Sequence, residues 1–155
     1  MARYRVGVKV KELHEDGGNR TFVVVMEKGD EAAGQLVRFA RAHGVSAAGL
    51  TAVGGCRGAT LGYFDAETMD KRSRTFDGQM EVLSLIGDIG TQDGEPALHA
   101  HVVLGRSDYT TIGGHLHRMV VYPTMEVIVT ETPGHLAKRI DPETGMALID
   151  LEHER

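Results

Sequence analysis

Four of the chain's eight histidines fall between Leu98 and His117, at His99, His101, His115 and His117. The first two form an H-x-H pair inside Leu98-His99-Ala100-His101-Val102-Val103-Leu104, an alternation that reads as a β-strand. Strand side chains point to opposite faces in turn, so His99 and His101 share one face and Leu98, Ala100, Val102 and Leu104 the other. Two imidazoles at that spacing stand roughly 7 Å apart at Cα, and their tips can converge on one ion. His115 follows Gly113-Gly114, a pair that permits φ > 0 and close backbone approach. Three imidazoles with an open position suit zinc, or another divalent metal that accepts nitrogen. His117 lies two residues on, so in a strand it shares the face of His115. It is open as an alternative ligand, as a group behind the ligands, or as an exposed side chain. Histidines on the polar face of a one-sided sheet are common, and that plainer reading also fits the spacing.

Other chemistry is thin. Pro133-Gly134-His135 loosely echoes the second motif of cupins, but those proteins want a glutamate soon after H-x-H, and Val102 to Asp108 holds none. Cys56 follows Gly54-Gly55 with no assigned base, which favours a small buried structural thiol over a nucleophile. Glu81 stands in an apolar strand, either as an acid beside the metal or as the polar-facing member of an alternation. No phosphate-binding loop and no G-x-S-x-G elbow occurs.

The elements that must position the histidines are mostly strands. Tyr4, Val6, Val8 and Val10 alternate with Arg3, Arg5, Lys9 and Lys11, which predicts a half-buried strand. A turn-rich stretch over His14 to Asn19 and an apolar run from Phe22 to Met26 then complete a hairpin. Asp30 as N-cap, Glu31 in the first turn, Ala32, Leu36, Phe39 and Ala40 at helical spacing, and Gly44 as a stop predict a helix over 31–43. Val45 to Cys56 is rich in small residues and reads as a bulged or closely packed strand. Thr60 to Phe64 reads as a further strand, and Asp65 to Arg74 as a polar connection whose Lys71, Arg72 and Arg74 are solvated. Met80 to Gly87 is a strand, and Asp88 to Pro96 a turn-rich loop before the histidine strand. Met119 to Thr130 is a long β segment in which Pro123 marks an edge or bend. The tail carries a turn over Asp141 to Gly145 and a short apolar stretch, Met146 to Leu151. The expected fold is α+β: a mostly antiparallel sheet of about seven strands with one main helix.

Length and composition bound the rest. Residues 1–155 read as one domain, long enough to bury a core. A formal net charge of −5 argues against nucleic-acid binding through the overall field, which needs clustered Lys and Arg. One cysteine cannot close an intramolecular disulfide, so a reducing compartment is the simpler reading. The N-terminus lacks the apolar run of a signal peptide, and 18 consecutive apolar residues occur nowhere. The expected location is cytoplasmic, with no membrane span.

Two stretches together resemble one family. Gly78-Gln79-Met80-Glu81-Val82-Leu83-Ser84-Leu85-Ile86-Gly87 is similar to the G-R-F-E-I-L-S-L-x-G stretch of the PPC (plants and prokaryotes conserved) domain. Leu98-His99-Ala100-His101-Val102 followed by Gly113-Gly114-His115-Leu116 resembles its H-x-H-V…G-G-H-L signature. The similarity runs from near Tyr4 to about Leu151. It implies an α+β fold around an antiparallel sheet, assembled as a homotrimer, and a metal held by His99, His101 and His115, with zinc the favoured ion. In plants the domain stands behind AT-hook DNA-binding motifs and mediates association with itself and with other nuclear proteins, so other regulatory proteins are possible partners. This chain has no R-G-R-P core, so the AT-hook function does not transfer, and Gln79 replaces the arginine of the first motif.

Three functions follow in order of fit. The first is a metal-binding, self-associating module with a regulatory or scaffolding role. The second is an enzyme that uses the metal to activate water, with Glu81 as general base if it lies nearby. The third, and weakest for an acidic chain, is DNA binding through the fold itself.

Overall fold

The computed structural model of the chain describes residues 8–152. Eight strands and one helix follow in the order β1 (Lys9–Asp16), β2 (Asn19–Glu27), α1 (Ala32–His43), β3 (Ala48–Asp65), β4 (Asp70–Gln92), β5 (Glu95–Gly105), β6 (Thr111–Glu131), β7 (Lys138–Ile140) and β8 (Ala147–Ile149). Six strands form one antiparallel sheet in the order β1-β2-β6-β3-β4-β5, and β7 pairs with β8 separately. The start of β6 also pairs with the end of β5, so β6, β3, β4 and β5 close a ring. The fold is the α+β arrangement expected. Two of the expected seven strands merge into β3, and the two three-residue strands of the tail, β7 and β8, are additional.

The β1–β2 hairpin forms as expected, with Gly17 and Gly18 both at positive φ in its turn. β1 runs on to Asp16, and the part of the expected first strand over residues 4–7 lies outside the described residues. Helix α1 begins one residue later than expected, because Glu31 rather than Asp30 is its cap. Glu31 accepts the N–H groups of Ala33 and Gly34 at 3.2 and 2.8 Å, and that of Met119 on β6 at 3.2 Å. Asp30 is occupied instead by the Glu27 N–H and the Gln35 amide. Gly44 ends the helix in the left-handed conformation, as a glycine stop should. The helix buries Ala32, Leu36, Phe39 and Ala40 against a core that includes Phe22, Leu85, Ile89, Leu104, Met119 and Val127.

The larger differences concern strand length. The two expected strands over 45–56 and 60–64 are one continuous β3, bulged at Gly54 and again between Cys56 and Gly58. Gly54 and Gly55 are required there. A Cβ on either would come within 2.4 Å of β6 backbone oxygens, at Thr124 and Tyr122. Pro123 lies opposite this bulge on β6, a central strand rather than an edge, where the register breaks and no ladder N–H is needed. The polar connection expected over 65–74 shrinks to a tight turn, and Lys71, Arg72 and Arg74 belong to β4. Lys71 donates to the Gly145 carbonyl at 2.8 Å and Arg72 pairs with Asp65, so both are tied down rather than merely solvated. The loop expected over 88–96 likewise contracts to a turn at Asp93-Gly94, which leaves Asp88 inside β4. Sequence patterns mark alternation locally, but strand ends are set by partners far along the chain.

Candidate metal centre

β5 alternates as its sequence requires. Ala100, Val102 and Leu104 are at most 2% exposed, while His99 and His101 look outward. β6 brings the third imidazole: His115 pairs directly across from His101 on β5 and from Gly62 on β3. Gly113 and Gly114 make this approach possible by lacking a Cβ rather than by a positive φ. A Cβ on Gly114 would stand 2.7 Å from the Gly62 carbonyl, and one on Gly113 2.9 Å from that of Val102. The expected role of the glycine pair thus holds for close approach alone.

The three rings face one another. Their centroids are 5.1 Å (His99–His101), 5.3 Å (His99–His115) and 5.4 Å (His101–His115) apart, and one nitrogen from each lies within 4.8 Å of the others. Zinc–nitrogen bonds of about 2.0–2.1 Å put tetrahedral ligands roughly 3.4 Å apart, so side-chain rotations that draw the tips in by about 1 Å would complete the site. An all-imidazole donor set fits zinc and other divalent ions of similar softness. The fit is good.

The protonation states agree with this use. Burial, then the neighbouring His117, His99 and His101, push His115 down to about 4. Burial lowers His99 as well, with Lys138 and His101 adding to the shift and Asp88 opposing it. Neutral imidazole is the form that binds a metal, so neither ring has to shed a proton near neutral pH.

His117 stands outside the trio. It is the extra residue of a β6 bulge, between the Leu61–Leu116 and Thr60–Arg118 pairs, with its ring 5.0 Å from His115. It covers Gly62, whose Cβ would come 2.5 Å from the His117 Nε2. Glu81 is exposed and pairs with Gly105, four residues along β5 from His101 and so ~13 Å away. It cannot serve as a base at these histidines. Cys56 is fully buried, and burial foremost pushes its thiol up, as a structural cysteine requires. His135 also stands outside the trio, in the segment after β6.

Two residues near the site escape sequence reasoning. Asp88, placed in a loop by its turn-rich neighbours, lies on β4 directly opposite His99, with Oδ2 3.7 Å from the His99 Nδ1. Lys138, on β7, is buried and forms an ion pair with the other oxygen of Asp88. Nothing local in the tail sequence points to Lys138.

The Plants and Prokaryotes Conserved (PCC) domain profile matches residues 13–133, which contain all three histidines. The chain belongs to this family. Solved structures carry the same fold well outside the matched stretch. A metal-containing protein from Archaeoglobus fulgidus is 29% identical, with a TM-score of 0.79 over 90% of this chain and 99% of its own. A plant- and prokaryote-conserved (PPC) protein from Pyrococcus horikoshii is 28% identical, with a TM-score of 0.79 over 88% and 97%. A Bacteroides thetaiotaomicron protein provisionally described as DNA-binding is 25% identical, with a TM-score of 0.86 over 94% and 99%. No functionally curated protein matches the chain. Among the described residues, no helix of this PCC domain is long and apolar enough to cross a membrane.

Proposed function

We propose that this PCC domain binds a divalent metal, zinc foremost, through His99, His101 and His115, and acts as a self-associating regulatory or scaffolding module. The observation that carries the reading is the convergence of three imidazoles from two strands onto one point. Two of them sit in an H-x-H strand that packs its other face in the core, so the backbone beneath the site is fixed. The metal-containing relative from Archaeoglobus fulgidus supports it. Zinc held there would act as a structural or Lewis-acidic centre. This chain's own part is to present neutral imidazoles on rigid strands.

Self-association has its own support. Ile86, 61% exposed, pairs with His101, and Val103 and Leu83 continue an apolar face beside the histidines. Leu83 covers Gly105, where a Cβ would come 3.0 Å from it. Large exposed aliphatics grouped on a sheet face are the kind of surface that a second copy covers. We take the assembly to be a homotrimer, in the cytoplasm, where the single buried thiol of Cys56 stays reduced.

A second reading, metal-assisted activation of water, draws on the fourth coordination position that three ligands leave open. Glu81 is out of reach of the histidines, and Asp88 is taken up by Lys138 and faces the His99 Nδ1, so such an activity would need a base from elsewhere. DNA binding, the provisional role of the Bacteroides relative, is opposed here by the charge of −5. Metal analysis of purified protein beside a His99→Ala/His101→Ala variant tests the main reading. Zinc in the first and none in the second is expected; metal in neither removes the site.

A further inference from the structure

A lysine ammonium is among the costliest groups to bury, and this chain buries one beside its histidines. The Lys138 side chain is 2% exposed, and its ammonium meets one carboxylate, that of Asp88, as an ion pair without hydrogen-bond geometry. Among the described residues neither the ammonium nor the Asp88 Oδ1 has another partner. A buried ion pair of this kind rarely adds stability over apolar residues of the same volume, so its retention calls for a different account.

The surroundings are arranged to admit it. Lys138 opens β7, which is pinned to the end of β4 by the Thr91 N–H donating to the Leu136 carbonyl at 2.8 Å. Its stem crosses β4 at Gly90. A Cβ there would stand 3.0 Å from the Lys138 Cε and 2.5 Å from the Leu136 oxygen, so only glycine lets the lysine reach Asp88. Asp88 in turn lies straight across the ladder from His99. One of its oxygens faces Lys138, and the other stands 3.7 Å from the His99 Nδ1, a contact that a small rotation of the ring turns into a hydrogen bond.

We propose that Asp88, anchored by the buried Lys138, is a positioning residue that keeps the His99 proton on Nδ1 and so leaves Nε2 as the nitrogen offered to the metal. Neutral imidazole has two tautomers, and the partner of one nitrogen decides which lone pair the other presents. Carboxylates behind metal-binding histidines set both the tautomer and the ring orientation. Lys138 engages one oxygen of the carboxylate, which leaves the second for the ring. The value of this arrangement to the protein rests on the metal reading above, but the tautomer itself does not.

Nitrogen-15 NMR of the histidine side chains in metal-free protein tests it. His99 is expected in the Nδ1–H form in the wild type, and to shift toward the Nε2–H form that free imidazole favours in Asp88→Ala. Asp88→Asn, which keeps the shape and one accepting oxygen, should restore the Nδ1–H form in part and guards against a variant that fails to fold. Zinc affinity, measured by competition with a chromophoric chelator, should fall on the order of 10–100-fold in Asp88→Ala, and less in Lys138→Met. A wild-type His99 protonated on Nε2, or a tautomer unmoved in Asp88→Ala, overturns the proposal. A wild type that binds no zinc yet holds the Nδ1–H tautomer sinks the metal reading and leaves the Asp88 device standing.

Discussion

His115 is the histidine whose chemistry depends most on its neighbours. Its ring is held near a pKa of about 4 by burial first and by three other imidazoles after that. An unfolded imidazole titrates near 6.5. Between these values the unfolded chain takes up a proton that the folded chain refuses, so the metal-free fold should lose stability as pH falls from about 6.5 toward 4. Above that window the group contributes no pH dependence. His99, also lowered, acts in the same direction. Denaturant midpoints of metal-free protein over a pH series should drop through this window, and less steeply in His115→Gln; a flat wild-type profile would contradict the placement of the ring. Cys56 gives a second residue-scale expectation. With its thiol buried and pushed up, it should react with a thiol reagent at neutral pH only after denaturant is added, and rapid labelling of the native protein would show the core to be open there. The types and spacing of His99, His101 and His115 were legible from the sequence, because period-2 alternation fixes which face an H-x-H pair takes. Asp88 and Lys138 were not, since the contact between them depends on β7 folding back along β4.

At the scale of elements, the site depends on how closely β6 can slide between β3 and β5. Gly114 sits at a close approach beside His115, where a Cβ would stand 2.7 Å from the Gly62 carbonyl. Gly114→Ala should therefore cost about 1–3 kcal/mol in unfolding free energy and weaken metal binding, because the strand that carries His115 is pushed off its neighbour. Chemical denaturation and zinc titration of the same variant measure both effects. Gly17→Ala, in a hairpin turn with open space around it but a φ of +57°, should affect stability alone. The helix was legible almost to its ends, since Gly44 and the apolar spacing act locally. The cap was misassigned by one residue because Glu31 is also recruited by the Met119 N–H, a contact that only the folded sheet supplies. Strand lengths were the least legible. β3 and β4 run through glycines and polar residues that look like breaks in one dimension, yet ladders on both sides carry the backbone across them.

The whole molecule presents the histidines on an outer face beside exposed aliphatic side chains. If that face joins copies of the chain, Ile86→Asp should convert the assembly to monomers in sedimentation velocity while changing the unfolding free energy of the monomer by no more than about 0.5 kcal/mol. An unchanged sedimentation profile would place the interface elsewhere. The family and the α+β class were legible from two motifs in order, but the closing of β5 onto β6 was not. No local pattern records that a strand pairs twice, and it is this closure that turns separated histidines into one cluster.

The most direct measurement is a zinc competition titration of the wild type against single alanine variants at His99, His101, His115 and His117. His99→Ala, His101→Ala and His115→Ala should each weaken binding by an order of magnitude or more, and His117→Ala by clearly less. Equal affinity across all five proteins, or a loss confined to His117→Ala, would contradict a metal centre built on His99, His101 and His115.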